Sequence, residues 1–172
     1  RVLGYVYAVD GTFINEQLIA EGMALALSTN HPLRDEFKAA EQAAFDQRLG
    51  RWRADACGSA PPVAVEIDAL LYDAPGDDAR NRNGEWIDIV NRGAEPVGLR
   101  GWSIQDESSS HRFRFPDDFV LQGGKRVRVS SGCGTPDSEQ LFWCDEDPVW
   151  SNSGDTAYLM DAFGNVVDRF AF

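Results

Sequence analysis

Lysine, cysteine and histidine are scarce in this sequence, and long apolar runs are missing from it. Lys38 and Lys125 are the only lysines among 16 basic residues, which face 28 acidic ones. The resulting net charge of −12 disfavours non-specific adhesion to nucleic acid or to an anionic membrane. A nucleic acid bound here needs a local basic site or a bridging cation. The three cysteines, Cys57, Cys133 and Cys144, contain no C-x-x-C pair, and only His31 and His111 accompany them, which disfavours a structural zinc site. No stretch reaches the roughly 20 apolar residues that a bilayer-spanning helix requires, and no signal-peptide pattern is visible. "LQGGKR" lacks the upstream glycine of a P-loop, since Phe119 stands there. His111 follows Ser108–Ser110, but no G-x-S-x-G occurs and the serines read as a hairpin turn.

At 172 residues and 43% apolar composition, the chain can form one ordinary domain or two small ones. Its opening run, Val2–Val9, is β-branched and aromatic and stops at Asp10-Gly11, a hairpin signal. Such a run reads as a central strand that needs neighbours on both edges. Leaving three or four large apolar side chains of Val2–Tyr7 in water would forfeit roughly 1.5–3 kcal/mol each. That loss rivals the ~5–15 kcal/mol stability of a whole domain. The expectation is therefore a sequence cut from a longer protein.

From Gln17 to Trp52 the pattern is helical, with Ile14, Leu18, Gly22 and Leu25, then Phe37, Ala40, Ala44 and Leu49, at spacings near three and four. "LSTNHPL" breaks the two helices, and His31 within it reads as a capping or surface residue. "RADACGSAPP" reads as a boundary, with residues 56–62 as linker. Beyond Pro62 the period becomes that of strands: "HRFRF" and "KRVRV" alternate arginine with Phe113, Phe115, Val127 and Val129. About eight short strands at turn spacing, with no convincing helix, predict a β-sandwich. The expected class is α+β: a hairpin with two to three helices over residues 1–55, then an all-β sandwich over 63–172. Trp86, Trp102 and Trp150 are expected between its sheets.

The first segment carries Y-V-Y before a turn, N-E-x-L-I-x-x-G-x-A on a helix and A-x-x-x-A-F-x-x-x-x-G-x-W at the end of the last helix. In these it resembles the last third to half of a thermonuclease-like (staphylococcal-nuclease) domain. That family forms a five-stranded OB-type barrel with packed helices and hydrolyses DNA and RNA phosphodiesters with calcium. Two aspartates hold the metal, a glutamate handles the attacking water, and two arginines stabilise charge developing on phosphorus. The resemblance places one of those arginines at Arg1. The aspartates, glutamate and second arginine belong to earlier strands and loops that are absent from this sequence. Calcium is thus implied for the full-length protein with its ligands elsewhere, and none is expected bound to this chain. The family's best-known member carries nucleotide-stacking tyrosines after its second helix, whereas "LSTNHPL" has no aromatic residue.

The second segment carries E-W-I-x-I-x-N-R-G and L-x-G-W, then "FRFP", "GGKRVRV" and "VWSNSGDTAYLMDAFGNVV" in order. It resembles a lamin-tail-type domain, an immunoglobulin-like sandwich. The resemblance supplies no catalytic residues; bacterial members often accompany extracellular nucleases and phosphatases, which implies an accessory or attachment role.

Cys133 and Cys144 enclose a short polar segment suited to a disulfide-closed loop, worth on the order of 3 kcal/mol; two free thiols in a reducing compartment are the alternative. Cys57 is then a free thiol or has its partner outside this sequence. Asp77, Asp78, Asn81, Asn83 and Glu85 offer oxygen ligands, but Ala79 and Val90 break the EF-hand pattern and leave only a looser calcium loop or a polar turn. Arg112, Arg114, Arg126 and Arg128, if all on one solvent face, would form a phosphate-contacting stripe; a solvated sheet face is the plainer account. The functional expectation is a fragment of a secreted, calcium-dependent nuclease with nucleic acid as the intact protein's substrate. The fragment alone should be inactive, with extracellular or cell-surface attachment through the sandwich. The alternative is a non-catalytic extracellular binding or anchoring protein with a decayed nuclease part.

Overall fold

A computed structural model describes residues 4–28, 30–58, 62–77, 79–108 and 111–172. The chain opens on an extended segment that makes one antiparallel bridge, Tyr7 to Phe13, across the Asp10-Gly11 turn. Helix α1 (Ile14–Ala20) and helix α2 (Arg34–Asp46) follow, and a short 3-10 turn spans Gly50–Trp52. Asn15 ties the opening segment to α1: its Oδ1 accepts Val6 N–H at 2.7 Å and its Nδ2 donates to Gly4 O at 3.3 Å. Asp35 and Glu36 stand in the first turn of α2, where carboxylates complement the helix dipole. The two helices pack through Ile19, Ala26 and Phe37, with Phe13, Leu33 and Ala40 against them.

Among the described residues the opening segment is left without the strand neighbours on both edges that its composition calls for. Tyr5, Val6, Tyr7 and Val9 are exposed, at 44%, 56%, 59% and 110%. Only the single bridge to Phe13 pairs this segment, and Val2 and Leu3 lie outside the described residues. No barrel is closed by the described residues: the front part is the expected hairpin with its helices.

The rest is a two-sheet sandwich. One sheet has the order β1 (Val65–Leu71), β2 (Trp86–Asn91), β7 (Arg126–Ser130), β8 (Gln140–Phe142). The other has the order β10 (Val166–Ala171), β9 (Thr156–Met160), β4 (Ser103–Gln105), β5 (Arg112–Arg114). A ribbon of β3 (Val97–Gly98) and β6 (Val120–Leu121) closes one end. All pairings are antiparallel except β7–β8. Period-two alternation decides the core: Ile87, Ile89, Val127 and Val129 from one sheet meet Ile104, Phe113, Ala157 and Leu159 from the other. The described residues hold ten strands where about eight are expected, because two-residue pieces such as β3 and β6 are too short to leave a periodic signal.

Trp102 and Trp150 are buried in this core. Trp86 is not: it shares the strand face of Asp88, away from the core, and lies under the Arg128 guanidinium at 3.5 Å from ring centroid to Cζ. A cationic cover of this kind contributes about 0.5–2 kcal/mol.

The helical part packs against the outer face of the β10-β9-β4-β5 sheet. Ala44 and Trp52 join Tyr158, Met160 and Val166 in a second apolar cluster, with Leu25 and Phe45 against it. The segment read as linker is tied down as well, since Asn165 accepts from Cys57 N–H at 2.7 Å and donates to Gly58 O at 2.9 Å.

Candidate functional site

Arg1, the residue that the nuclease resemblance assigns to phosphate, lies outside the described residues. The motif residues around it in that resemblance are described, and they converge. Gly22 of the N-E-x-L-I-x-x-G-x-A motif has φ +70°, and Gly50 of the G-x-W motif has φ +51°. A Cβ on Gly22 would stand 2.3 Å from Leu49 O, and one on Gly50 would stand 2.5 Å from Gly22 O. Arg51 N–H donates to Gly22 O at 2.9 Å, so the two motifs are joined backbone to backbone. Trp52 is fully buried, stacked on Tyr158 of the sandwich at 6.0 Å and 27°.

Beside this joint, Tyr5, Phe13, Phe37 and His31 form an aromatic group with centroid separations of 5.3–6.5 Å. His31 Nδ1 lies 3.2 Å from Tyr5 Oη and 3.3 Å from Leu33 N. It therefore sits at the entry to α2, against the N–H of the residue that precedes the helix, and no side chain caps the helix start. An apolar hollow of about 470 Å³, lined by Tyr5, Leu18, Leu25, Leu27 and Phe37 among others, opens on the same side.

The four sandwich arginines do not form one stripe. Arg112 and Arg114 are on β5 and Arg126 and Arg128 on β7, in different sheets. Phe113, Val127 and Val129 all turn inward, so the two arginine pairs point away from opposite sides of the sandwich. Arg126 and Arg128 are also already occupied. Asp88, 1% exposed, receives Arg128 in a fork at 2.8 and 2.9 Å and Arg126 at 3.4 Å. Arg126 reaches Asp68 at 2.8 Å, and Arg92 bridges Asp68 and Glu66. Hydrogen bonding to Asp88 holds the Arg128 pKa above its ordinary value. Three arginines and three carboxylates thus cancel on this face, and a phosphate would have to displace a bidentate carboxylate to bind. Arg112 donates to Gln105, and Arg114 is exposed at the edge strand.

The oxygen-rich loop is built for turning. Asp77 pairs with Arg80, Asn81 Nδ2 donates to Pro75 O, and Asn83 Nδ2 donates to Cys133 O. Glu85 is buried and accepts from Val149 N–H at 3.1 Å; Asp78 lies outside the described residues. Among the described residues no three His, Cys, Asp or Glu side chains converge as a metal-holding group. Cys133 and Cys144 form the disulfide, with Cα atoms 4.3 Å apart, and Cys57 is a free, exposed thiol. His111 Nδ1 lies 3.0 Å from Asp106 Oδ2, which also accepts from Ser108 Oγ at 2.5 Å; Ser109 and Ser110 lie outside the described residues.

Sequence periodicity misses the polar residues at the seam between helices and sandwich. Glu41, fully buried on α2, accepts from Arg169 Nη1 of β10 at 2.7 Å and from Ala26 N–H at 3.0 Å, with Tyr158 Oη at 3.5 Å. Burial, with the Glu41 charge next in weight, raises the Tyr158 pKa, so its phenol stays protonated. Lys38 donates to Glu107 Oε2 at 3.1 Å and to Thr156 Oγ1 at 3.0 Å, and Ser28 donates to the same glutamate through both N–H and Oγ. Asp155, next to Thr156, is pushed up to about 6 by burial, despite backbone donors from Thr156, Ser151 and Glu107.

Comparison with known families agrees with this division. A family model described as Lamin Tail Domain matches residues 59–172, and one described as Staphylococcal nuclease homologue matches residues 1–54. The chain belongs to the lamin tail domain family, with a staphylococcal-nuclease-homologue region in front. No curated protein matches the chain. No helix among the described residues is long and apolar enough to cross a membrane.

Proposed function

We propose that the chain is part of a secreted, calcium-dependent nuclease that hydrolyses DNA or RNA phosphodiesters, with the sandwich as its accessory or attachment unit. The observation that carries this reading is the match of residues 1–54 to the nuclease family, in a segment whose motif residues Gly22, Gly50 and Trp52 meet at one joint. The exposed apolar side of Tyr5, Val6 and Tyr7 supports it, since a strand of this composition suits the interior of a barrel. The disulfide between Cys133 and Cys144 fits an oxidising compartment.

In this reading Arg1 supplies donors to charge developing on phosphorus. Metal ligands and the water-handling carboxylate come from barrel strands outside this sequence. In this reading the chain alone does not cleave, because water activation and metal binding need those carboxylates.

The test is cleavage of single-stranded DNA and of RNA by the intact natural polypeptide, with calcium and with chelator, next to the 172-residue chain. Calcium-dependent cleavage by the intact protein, a loss of about 10²–10³ in kcat for Arg1→Ala, and none by the chain alone are expected. Cleavage by the 172-residue chain would overturn the assignment of roles. An inert intact protein that still binds a surface would favour the non-catalytic anchor.

A further inference from the structure

Helix α2 has two working faces. Phe37 and Ala40 meet α1, as their apolar character dictates. The second face carries Lys38, Glu41, Gln42 and Phe45, at helical spacings of three, one and three that place them on a single side. Every one of these four is engaged by the sandwich. Lys38 reaches Glu107 and Thr156; Glu41 and Gln42 each receive an Arg169 nitrogen. The same guanidinium lies 4.7 Å from the centroid of the Phe45 ring. Arg169 has a side-chain exposure of only 6% and Glu41 of 0%.

A buried ion pair of this kind resists separation, because parting its members without water strands two charges in a medium of low polarity. The helices, for their part, have little to stand on. α1 has 7 residues and α2 has 13, at or below the length at which an isolated helix is even marginal in water. Their shared apolar cluster holds three buried residues, whereas Trp52 and Ala44 are buried only by joining Tyr158, Met160 and Val166 of the sandwich.

We propose that the outer face of the β10-β9-β4-β5 sheet is the folding platform of the nuclease-like helices. Arg169 is its anchor, and the two family segments open and close as one cooperative unit. The sandwich is then no freely tethered module: its orientation relative to α2 is fixed by the Arg169–Glu41 and Lys38–Glu107 pairs. This face is spent on the chain's own helix, so attachment to anything external falls to other surfaces of the sandwich. The inference does not depend on catalysis, and its test does not measure it.

Hydrogen exchange read by mass spectrometry on the full 172-residue chain, wild type and Arg169→Met, tests it. In the wild type, the most protected amides of α2 and of β9 should exchange at rates within about tenfold of each other, as members of one opening unit. In Arg169→Met, both sets should speed up together, by on the order of a hundredfold. Rates in α2 far above those in β9 in the wild type, or acceleration confined to α2 in the variant, would overturn the proposal. Should Arg169→Met fail to accumulate, the wild-type comparison decides by itself, and Glu41→Gln provides a milder second perturbation with the same two readings.

Discussion

Gly22 and Gly50 touch through their backbones: a Cβ on Gly50 would lie 2.5 Å from Gly22 O, and both residues adopt left-handed φ. Any side chain at either position meets two penalties, a strained backbone and a collision with main chain that cannot swing aside. Gly22→Ala and Gly50→Ala should each cost at least ~2 kcal/mol in urea unfolding. The double variant should cost less than the sum, because one displacement of Leu49–Gly50 from Gly22 relieves both clashes.

Arg128 and Arg114 alternate with core residues in much the same way in the sequence, yet their substitution should differ sharply. Arg128→Ala leaves the carboxylate of Asp88, 1% exposed, without its forked partner and uncovers Trp86. A loss of about 2–4 kcal/mol is expected. Arg114→Ala touches an exposed side chain on an edge strand and should stay within about 0.5 kcal/mol. Equilibrium denaturation of both variants measures the contrast.

Asp155 sets a pH dependence. Its pKa in the folded chain is about 6, above the ordinary 3.8, so folding favours its protonated form. The contribution is full below about pH 3.8 and is lost as the pH rises through about 6. Thermal unfolding from pH 4 to pH 7.5 should show Asp155→Asn losing less stability over that range than the wild type does. An unchanged slope would remove Asp155 from the account.

Reduction of the Cys133–Cys144 bond, which closes a loop of sequence separation 11, should lower stability by about 3 kcal/mol. Alkylating the reduced thiols and repeating the denaturation curve provides the measurement.

Both segments and their order were legible in the sequence, because helical spacing, strand alternation and motif order are local signals. Sheet membership was not. The alternation in "HRFRF" and "KRVRV" tells which residues point inward, but β5 pairs with β4 and β7 with β2, partners distant enough that no local pattern assigns them to a sheet. That is why four arginines that could share one face by alternation alone stand on two. The seam was illegible for a related reason. Lys38, Glu41 and Gln42 look like a solvated helix face, and only the docking of Arg169 and Glu107 reveals that Glu41 is buried and Lys38 half-buried, with Gln42 exposed beside them.

The most direct test of a single folded body made from two family segments is scanning calorimetry of the 172-residue chain. One endotherm, with calorimetric and van't Hoff enthalpies in a ratio near one, is the predicted result. Two resolved endotherms, with the smaller abolished by Glu41→Gln and the larger unmoved, would contradict it.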